Sequence, residues 1–131
     1  MLTVLLYGAE CWTLLQADLR QLEAFHNRCV RVILDVSRSQ QWEERLTTAS
    51  LHHLCGTESV STVVLRRRLQ WLGHVARMDE SRLPKQFLFG WLGKAWPAHS
   101  PRRRWCDVVR DYLQSLHLYP SWYSLASDRS R

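Results

Sequence analysis

Residues 59–78 read SVSTVVLRRRLQWLGHVARM. At about 100° per residue, Val60, Val64, Leu65, Leu69, Trp71, Leu72, Val75 and Ala76 fall within roughly half of a helical circumference. Arg66, Arg67, Gln70, His74 and Arg77 fall on the other half. Arg67, Gln70, His74 and Arg77 step by three, four and three, so they form a single stripe. The pattern predicts one helix with an apolar side to bury and an Arg-rich side to present. Arg68 lands inside the apolar arc. Its guanidinium must reach outward or pair with an acid, because an isolated buried charge is too costly.

The rest of the chain is read around that helix. Residues 1–15 (MLTVLLYGAECWTLL) start apolar, with no cap and no polar lead-in, and are expected to be helical. Residues 17–34 predict a firmer helix. Leu19, Leu22, Phe25, Cys29, Val30, Val32 and Ile33 share one face, and Asp18 either caps the start or favours the positive end of the dipole. His26 lies in the apolar arc and reads as a hydrogen-bonded core histidine. Residues 35–45 are polar and break the period, predicting a loop anchored in the core by Trp42. Thr47 or Thr48 can cap a short helix through Leu54, and Gly56 suits a left-handed stop.

Residues 79–84 are expected to end the central helix, with the residue before Pro84 pushed towards extended backbone. Residues 86–92 (QFLFGWL) are expected as a short strand or an extended, aromatic-rich segment, and 93–100 (GKAWPAHS) as a basic loop. Ser100 as cap and Pro101 as first residue would open the last long helix. Its apolar face is Trp105, Val108, Val109, Tyr112, Leu113 and Leu116, with Arg103 and Asp107 paired one turn apart. Residues 121–129 predict a short closing helix. The fold class is therefore mainly α: a small bundle of about four to five helices, with an aromatic-rich extended segment and a basic loop. A single helical domain over 1–131 is expected, with 17–78 as helical core, 79–100 as extended segment and loop, and 101–131 as C-terminal helices.

Charge changes this picture. Residues 1–60 carry five basic and seven acidic side chains, whereas 61–110 carry eleven basic and three acidic, a net of +8. Sixteen of the eighteen basic residues are Arg, whose planar fork suits phosphate and stacks on aromatic rings. A concentrated basic segment points to a polyanion, nucleic acid first, with a merely solvated basic face as the alternative. The sharpest local feature is Arg102, Arg103 and Arg104, expected in the first turn of the last long helix. Cations are unfavourable there, beside unpaired amides and the positive end of the dipole. A bound phosphate would relieve both strains; screening by Asp107 and solvent is the other reading.

Several classes of chemistry find no support. Cys11, Cys29, Cys55 and Cys106 include no CxxC pair, so they form neither a zinc framework nor a small disulfide scaffold and read as free thiols. His52, His53 and Cys55 would need further ligands to hold a metal. The short apolar run at residues 2–6 lacks a basic lead and is not a convincing signal peptide, and no stretch reads as a membrane span. No Gly-rich phosphate loop, nucleophile elbow or catalytic constellation occurs. No cofactor is implied.

Six stretches in order carry a resemblance. They are LLYGAECWTL (5–14), LEAFHNRCVRVIL (22–34), RRRLQWLGHVARM (66–78), RLPKQFLFGWL (82–92), RRRWCDVVRDYL (102–113) and WYSLASDR (122–129). Together they resemble the C-terminal, post-thumb region of reverse transcriptases of non-long-terminal-repeat (LINE-like) retrotransposons. The resemblance covers essentially the whole chain. It implies a piece whose polymerase and endonuclease domains lie upstream, with residues 1–15 as a thumb-end remnant. It also implies a region that helps to hold template RNA or target DNA during target-primed reverse transcription. Relatives usually have a Gly- and Arg-rich loop before the RRRW-like motif, where this chain reads GKAWPAHSP. Some continue into a two-Cys, two-His finger, which is not among these 131 residues.

The expectation is thus a non-catalytic fragment that binds nucleic-acid phosphates through Arg66, Arg67, Gln70, His74, Arg77, Lys85, Lys94, Arg102, Arg103 and Arg104. Two-metal phosphoryl transfer would need carboxylates that this region lacks. Partners would be RNA or DNA, and the upstream polymerase domains of the parent protein, in the nucleus or cytoplasm and away from membranes. The alternative is a structural remnant that packs on a polymerase and binds nothing alone.

Overall fold

The computed structural model describes residues 2–92 and 104–127. Among them are eight α-helices and no strand, so the mainly α expectation holds, with more and shorter helices than the four to five expected. They are α1 (Leu2–Leu5), α2 (Gln16–Ile33), α3 (Arg38–Glu43), α4 (Thr48–Leu54), α5 (Val60–Ala76), α6 (Leu83–Leu92), α7 (Trp105–Ser115) and α8 (Trp122–Ser127). The chain forms two compact units. Unit 1 comprises the residues up to Tyr7 with Leu14–Leu65, and unit 2 comprises Gly8–Thr13 with the chain from Arg66 onward. No described helix is long and apolar enough to cross a membrane.

In unit 1, α2 contacts α4. Leu6, Val30, Leu51, Val60, Val63 and Val64 are its buried apolar side chains. His26 is buried and its Nε2 lies 3.1 Å from the Glu58 carbonyl, as expected of a core histidine. Burial, then the neighbouring His52, holds its pKa below the usual imidazole value. His52 Nε2 meets Asn27 Oδ1 at 2.7 Å. Thr47 Oγ1 accepts from the Ser50 amide at 3.0 Å, capping α4, and Gly56 stops it in the left-handed region at φ 63°. Glu23 accepts from both the amide and the hydroxyl of Ser61 at 2.8 Å, which ties α2 to the first turn of α5.

Four expectations need correction here. The expected helix over 1–15 is broken by Gly8 at φ 70° into α1 and a 3₁₀ turn at Ala9–Cys11, the turn belonging to unit 2. Residues 35–45 are not all loop. Ser37 and Gln40 form a reciprocal capping box, with Gln40 N donating to Ser37 Oγ (3.1 Å) and Ser37 N to Gln40 Oε1 (2.9 Å), and it starts α3. Trp42 is no core anchor, since it is 85% exposed. Phe25, Val32 and Ile33, predicted on the buried face of α2, are also exposed.

In unit 2, Leu72, Val109 and Leu113 form a buried cluster, covered by Leu69, Leu88, Trp105, Leu118 and Trp122. Residues 8–13 are pinned here: Trp105 Nε1 donates to the Glu10 carbonyl at 2.6 Å, and buried Arg68 donates to the Trp12 carbonyl. Arg68 does not reach outward; it is 2% exposed and its guanidinium lies over the Tyr112 ring, 5.9 Å from the centroid. The expected strand or extended segment over 86–92 is instead α6. Pro84 is its second residue, where a missing N–H costs nothing, so the proline opens this helix, while α5 has already ended at Ala76; Leu83, expected to be extended, is helical. Its aromatic Phe89 stacks on Trp122 with ring centroids 6.2 Å apart.

The last long helix also starts later than predicted. Arg104 is the cap of α7, in extended conformation at φ −92° and ψ 157°. Ser100 and Pro101 lie outside the described residues. Arg104 therefore stands before the first turn, and Arg102 and Arg103 lie outside the described residues. That turn carries Asp107, a charge of the sign that the dipole favours.

Candidate nucleic-acid interface

The described site residues all belong to unit 2, and the structure sorts them by what surrounds them. The stripe on α5 is formed as the period predicts. Arg66, Gln70, His74 and Arg77 are exposed, and Arg67 is half-buried. Helix α5 runs VSTVVLRRRLQWLGHVA and contains no carboxylate, so no acid one turn away neutralises the stripe from within the helix. Trp71, on the predicted apolar arc, is half-buried, and its ring lies 5.5 Å from that of His74 at a 39° tilt. An aromatic surface therefore borders the basic stripe.

Arg77 ends the stripe in a fixed pose. Its Nη1 donates to the Ala126 carbonyl at 2.8 Å, at the C-terminal part of α8. The side chain folds back over Gly73, where an added Cβ would sit 3.2 Å from Nη1. The open backbone at this helix-interior glycine leaves that guanidinium its room. Beyond it lies a cleft of about 460 Å³ lined by His74, Arg77, Met78, Asp79, Arg82 and Pro84. Arg82 is exposed and extends the stripe past the end of α5. Sequence reasoning misses it, because it falls outside the helical period, in the turn before α6. Asp79, the cleft's acid, accepts from the Ser81 amide at 2.9 Å and from its hydroxyl, and these bonds hold its pKa below the usual carboxylate value.

Two other predicted cations are engaged within the fold. Lys85 is 5% exposed; its Nζ lies 2.7 Å from Glu80 Oε1 and 2.8 Å from the Met78 carbonyl, beside the Tyr123 ring. The bond to Glu80 raises its pKa. Arg104 Nε donates to Asp107 Oδ2 at 3.0 Å and Nη2 to Oδ1 at 3.1 Å, while its backbone amide reaches the same carboxylate at 3.3 Å. These bonds hold the Asp107 carboxyl below its ordinary range. Arg110 lies 3.7 Å from the same acid, and the expected Arg103–Asp107 pairing lies outside the described residues. Lys94, Arg102 and Arg103 lie outside the described residues.

Among the described residues, no three His, Cys, Asp or Glu side chains gather in an arrangement that could hold a metal. What the arrangement offers chemically is a row of guanidinium, amide and imidazole groups on one face of a helix, able to donate to phosphate oxygens.

No family model matches the chain, and no solved structure matches it. It is similar to a Caenorhabditis elegans protein described as an uncharacterized transposon-derived protein, with 26% identity over 135 aligned positions covering 98% of this chain. The chain spans about half the length of that relative, 48%. The similarity supports a transposon-related origin for the chain.

Proposed function

We propose that the chain is a non-catalytic, nucleic-acid-binding piece of a LINE-like reverse transcriptase, and that it contacts phosphates of template RNA or target DNA through α5. The observation that carries this reading is the exposed stripe of Arg66, Gln70, His74 and Arg77, with Arg67 beside it, on a helix that contains no acid. Arg82 and the cleft beyond Arg77 continue the same surface. The transposon-derived relative supports the origin, and the six ordered sequence stretches support the narrower family. Lys85 and Arg104 have structural roles here, so binding rests on the stripe.

Backbone contacts predict binding that is weakly sequence-specific and salt-sensitive. The test is titration of the chain with an RNA–DNA duplex at two salt concentrations, beside the triple variant Arg66→Gln, Arg67→Gln, Arg77→Gln. Affinity should fall, and the slope of log affinity against log salt should shrink by about 0.9 for each phosphate no longer neutralised. An unchanged affinity and slope would remove the stripe from the interface. A second reading, a polymerase-packing remnant without binding of its own, draws on the exposed Leu83 and Phe87 of α6. Affinity indifferent to salt would favour it.

A further inference from the structure

Unit 1 carries a second basic surface of a different kind. Near the end of α2, Arg28 and Arg31 lie three residues apart on one face. The chain then turns through Asp35 at φ 54° into α3. On α3, Arg38, Gln41 and Trp42 share a face, Glu43 is about 100° away from Trp42, and Arg45 follows at φ 51°. Two open depressions result. One, of about 660 Å³, is lined by Arg28, Arg31, Asp35 and Arg38 among others, and one of about 810 Å³ by Arg31, Gln41, Arg38, Trp42, Arg45 and Leu46. They share Arg31 and Arg38, so four guanidiniums run along one continuous surface with Asp35 as its single acid.

None of these four guanidiniums makes a hydrogen bond or ion pair with another described residue. In their midst the Trp42 indole is 85% exposed. An apolar protein partner would cover Trp42 only by also desolvating unpaired guanidiniums, which is costly. A polyanion with flat π faces meets both needs: phosphates pair with the arginines and a base stacks on the indole. In a duplex the base faces are already stacked on one another, so the match is to a single strand.

We propose that Arg28, Arg31, Arg38, Arg45 and Trp42 form a binding site for single-stranded nucleic acid on unit 1. The site shares no residue with the α5 stripe and stands or falls apart from it.

The test uses the full chain, an end-labelled oligothymidylate, a duplex of equal length and inorganic polyphosphate as a polyanion without bases. Trp42→Ala should weaken oligothymidylate binding about five- to hundredfold, the range for loss of one stacked base, and leave polyphosphate binding and the salt slope unchanged. Trp42→Phe should keep most of the affinity, and circular dichroism should show both variants folded. The triple change Arg31→Gln, Arg38→Gln, Arg45→Gln should weaken both ligands and reduce the single-strand salt slope by about 0.7 for each phosphate no longer neutralised. The proposal is overturned if Trp42→Ala leaves oligothymidylate affinity unchanged, if it weakens polyphosphate equally, or if the duplex competes as well as the single strand. The Trp42-dependent component should persist in the α5 triple variant, so either site can fail alone.

Discussion

Two sets of polar side chains in unit 2 come from the same basic stretch of sequence and meet opposite fates. On α5, Arg66, Gln70, His74 and Arg77 reach solvent from a helix without acids. At α6 and α7, Lys85 and Arg104 are held by Glu80 and Asp107 and help fix the turns in which they sit. The net charge of the stretch does not distinguish them. What marks out Lys85 and Arg104 is a carboxylate in direct contact across a turn or a loop. Arg104 has Asp107 three residues on, and Lys85 has Glu80 five residues back. A count of basic residues therefore overstates an interface, because Lys85 and Arg104 are engaged within the fold.

The comparison is broken most severely from the buried side of α5. Leu72 is 3% exposed and belongs to the cluster with Val109 and Leu113, so it holds the stripe's helix against α7. Leu72→Ala should lower the unfolding free energy by about 2–5 kcal/mol, through lost transfer energy and the cavity left behind. Urea denaturation measures this, and a loss below about 1 kcal/mol would mean that the cluster is not what seats α5.

The Arg104–Asp107 pair gives the next largest effect. Asp107→Asn removes that ion pair and the acid at the positive end of α7, and should destabilise by about 1 kcal/mol at neutral pH. The pH dependence has a definite sign. The folded-state pKa of Asp107 lies below the ordinary 3.8, so between the two the unfolded chain binds more protons. The contribution is fully present above that ordinary value and is lost as pH falls through the folded-state value. The stability gap between wild type and Asp107→Asn should therefore stay constant around neutral pH and close only in that acid window. A gap that closes already near neutrality would show that this carboxylate is not what stabilises the start of α7.

Much of this is legible in the sequence where a period is long. Residues 59–78 and 17–34 each span several turns, and both helices form close to the predicted bounds. Short elements mislead when one residue carries two signals. Pro84 reads as a helix stop but sits in the first turn of α6, and the Ser37–Gln40 capping box looks like the polar content of a loop. Tryptophan is usually buried, which favours a core position for Trp42. Yet on α3 it shares a face with two polar residues, Arg38 and Gln41, which is the periodic clue to its exposure. Of the site, the α5 stripe is legible from spacing alone. The engagement of Lys85 and Arg104 is not, because it depends on turn geometry that places Glu80 and Asp107 beside them.

The smallest expected effect sharpens the comparison most. Gln70 and His74 are exposed, and neither makes a hydrogen bond or ion pair with a described residue. His74 has only the tilted ring contact with Trp71. The double change Gln70→Ala, His74→Ala removes no cap, no core volume and no buried partner, and alanine favours the helix, so stability should stay within about 0.5 kcal/mol. Duplex affinity should nonetheless fall, because these two side chains lie between Arg66 and Arg77 along any phosphate track on that face. Loss of affinity at constant stability separates a face kept for a ligand from one kept for the fold, which Asp107→Asn and Leu72→Ala cannot do. A stability loss above about 1 kcal/mol with unaltered affinity would place the α5 stripe in the same class as Lys85 and Arg104.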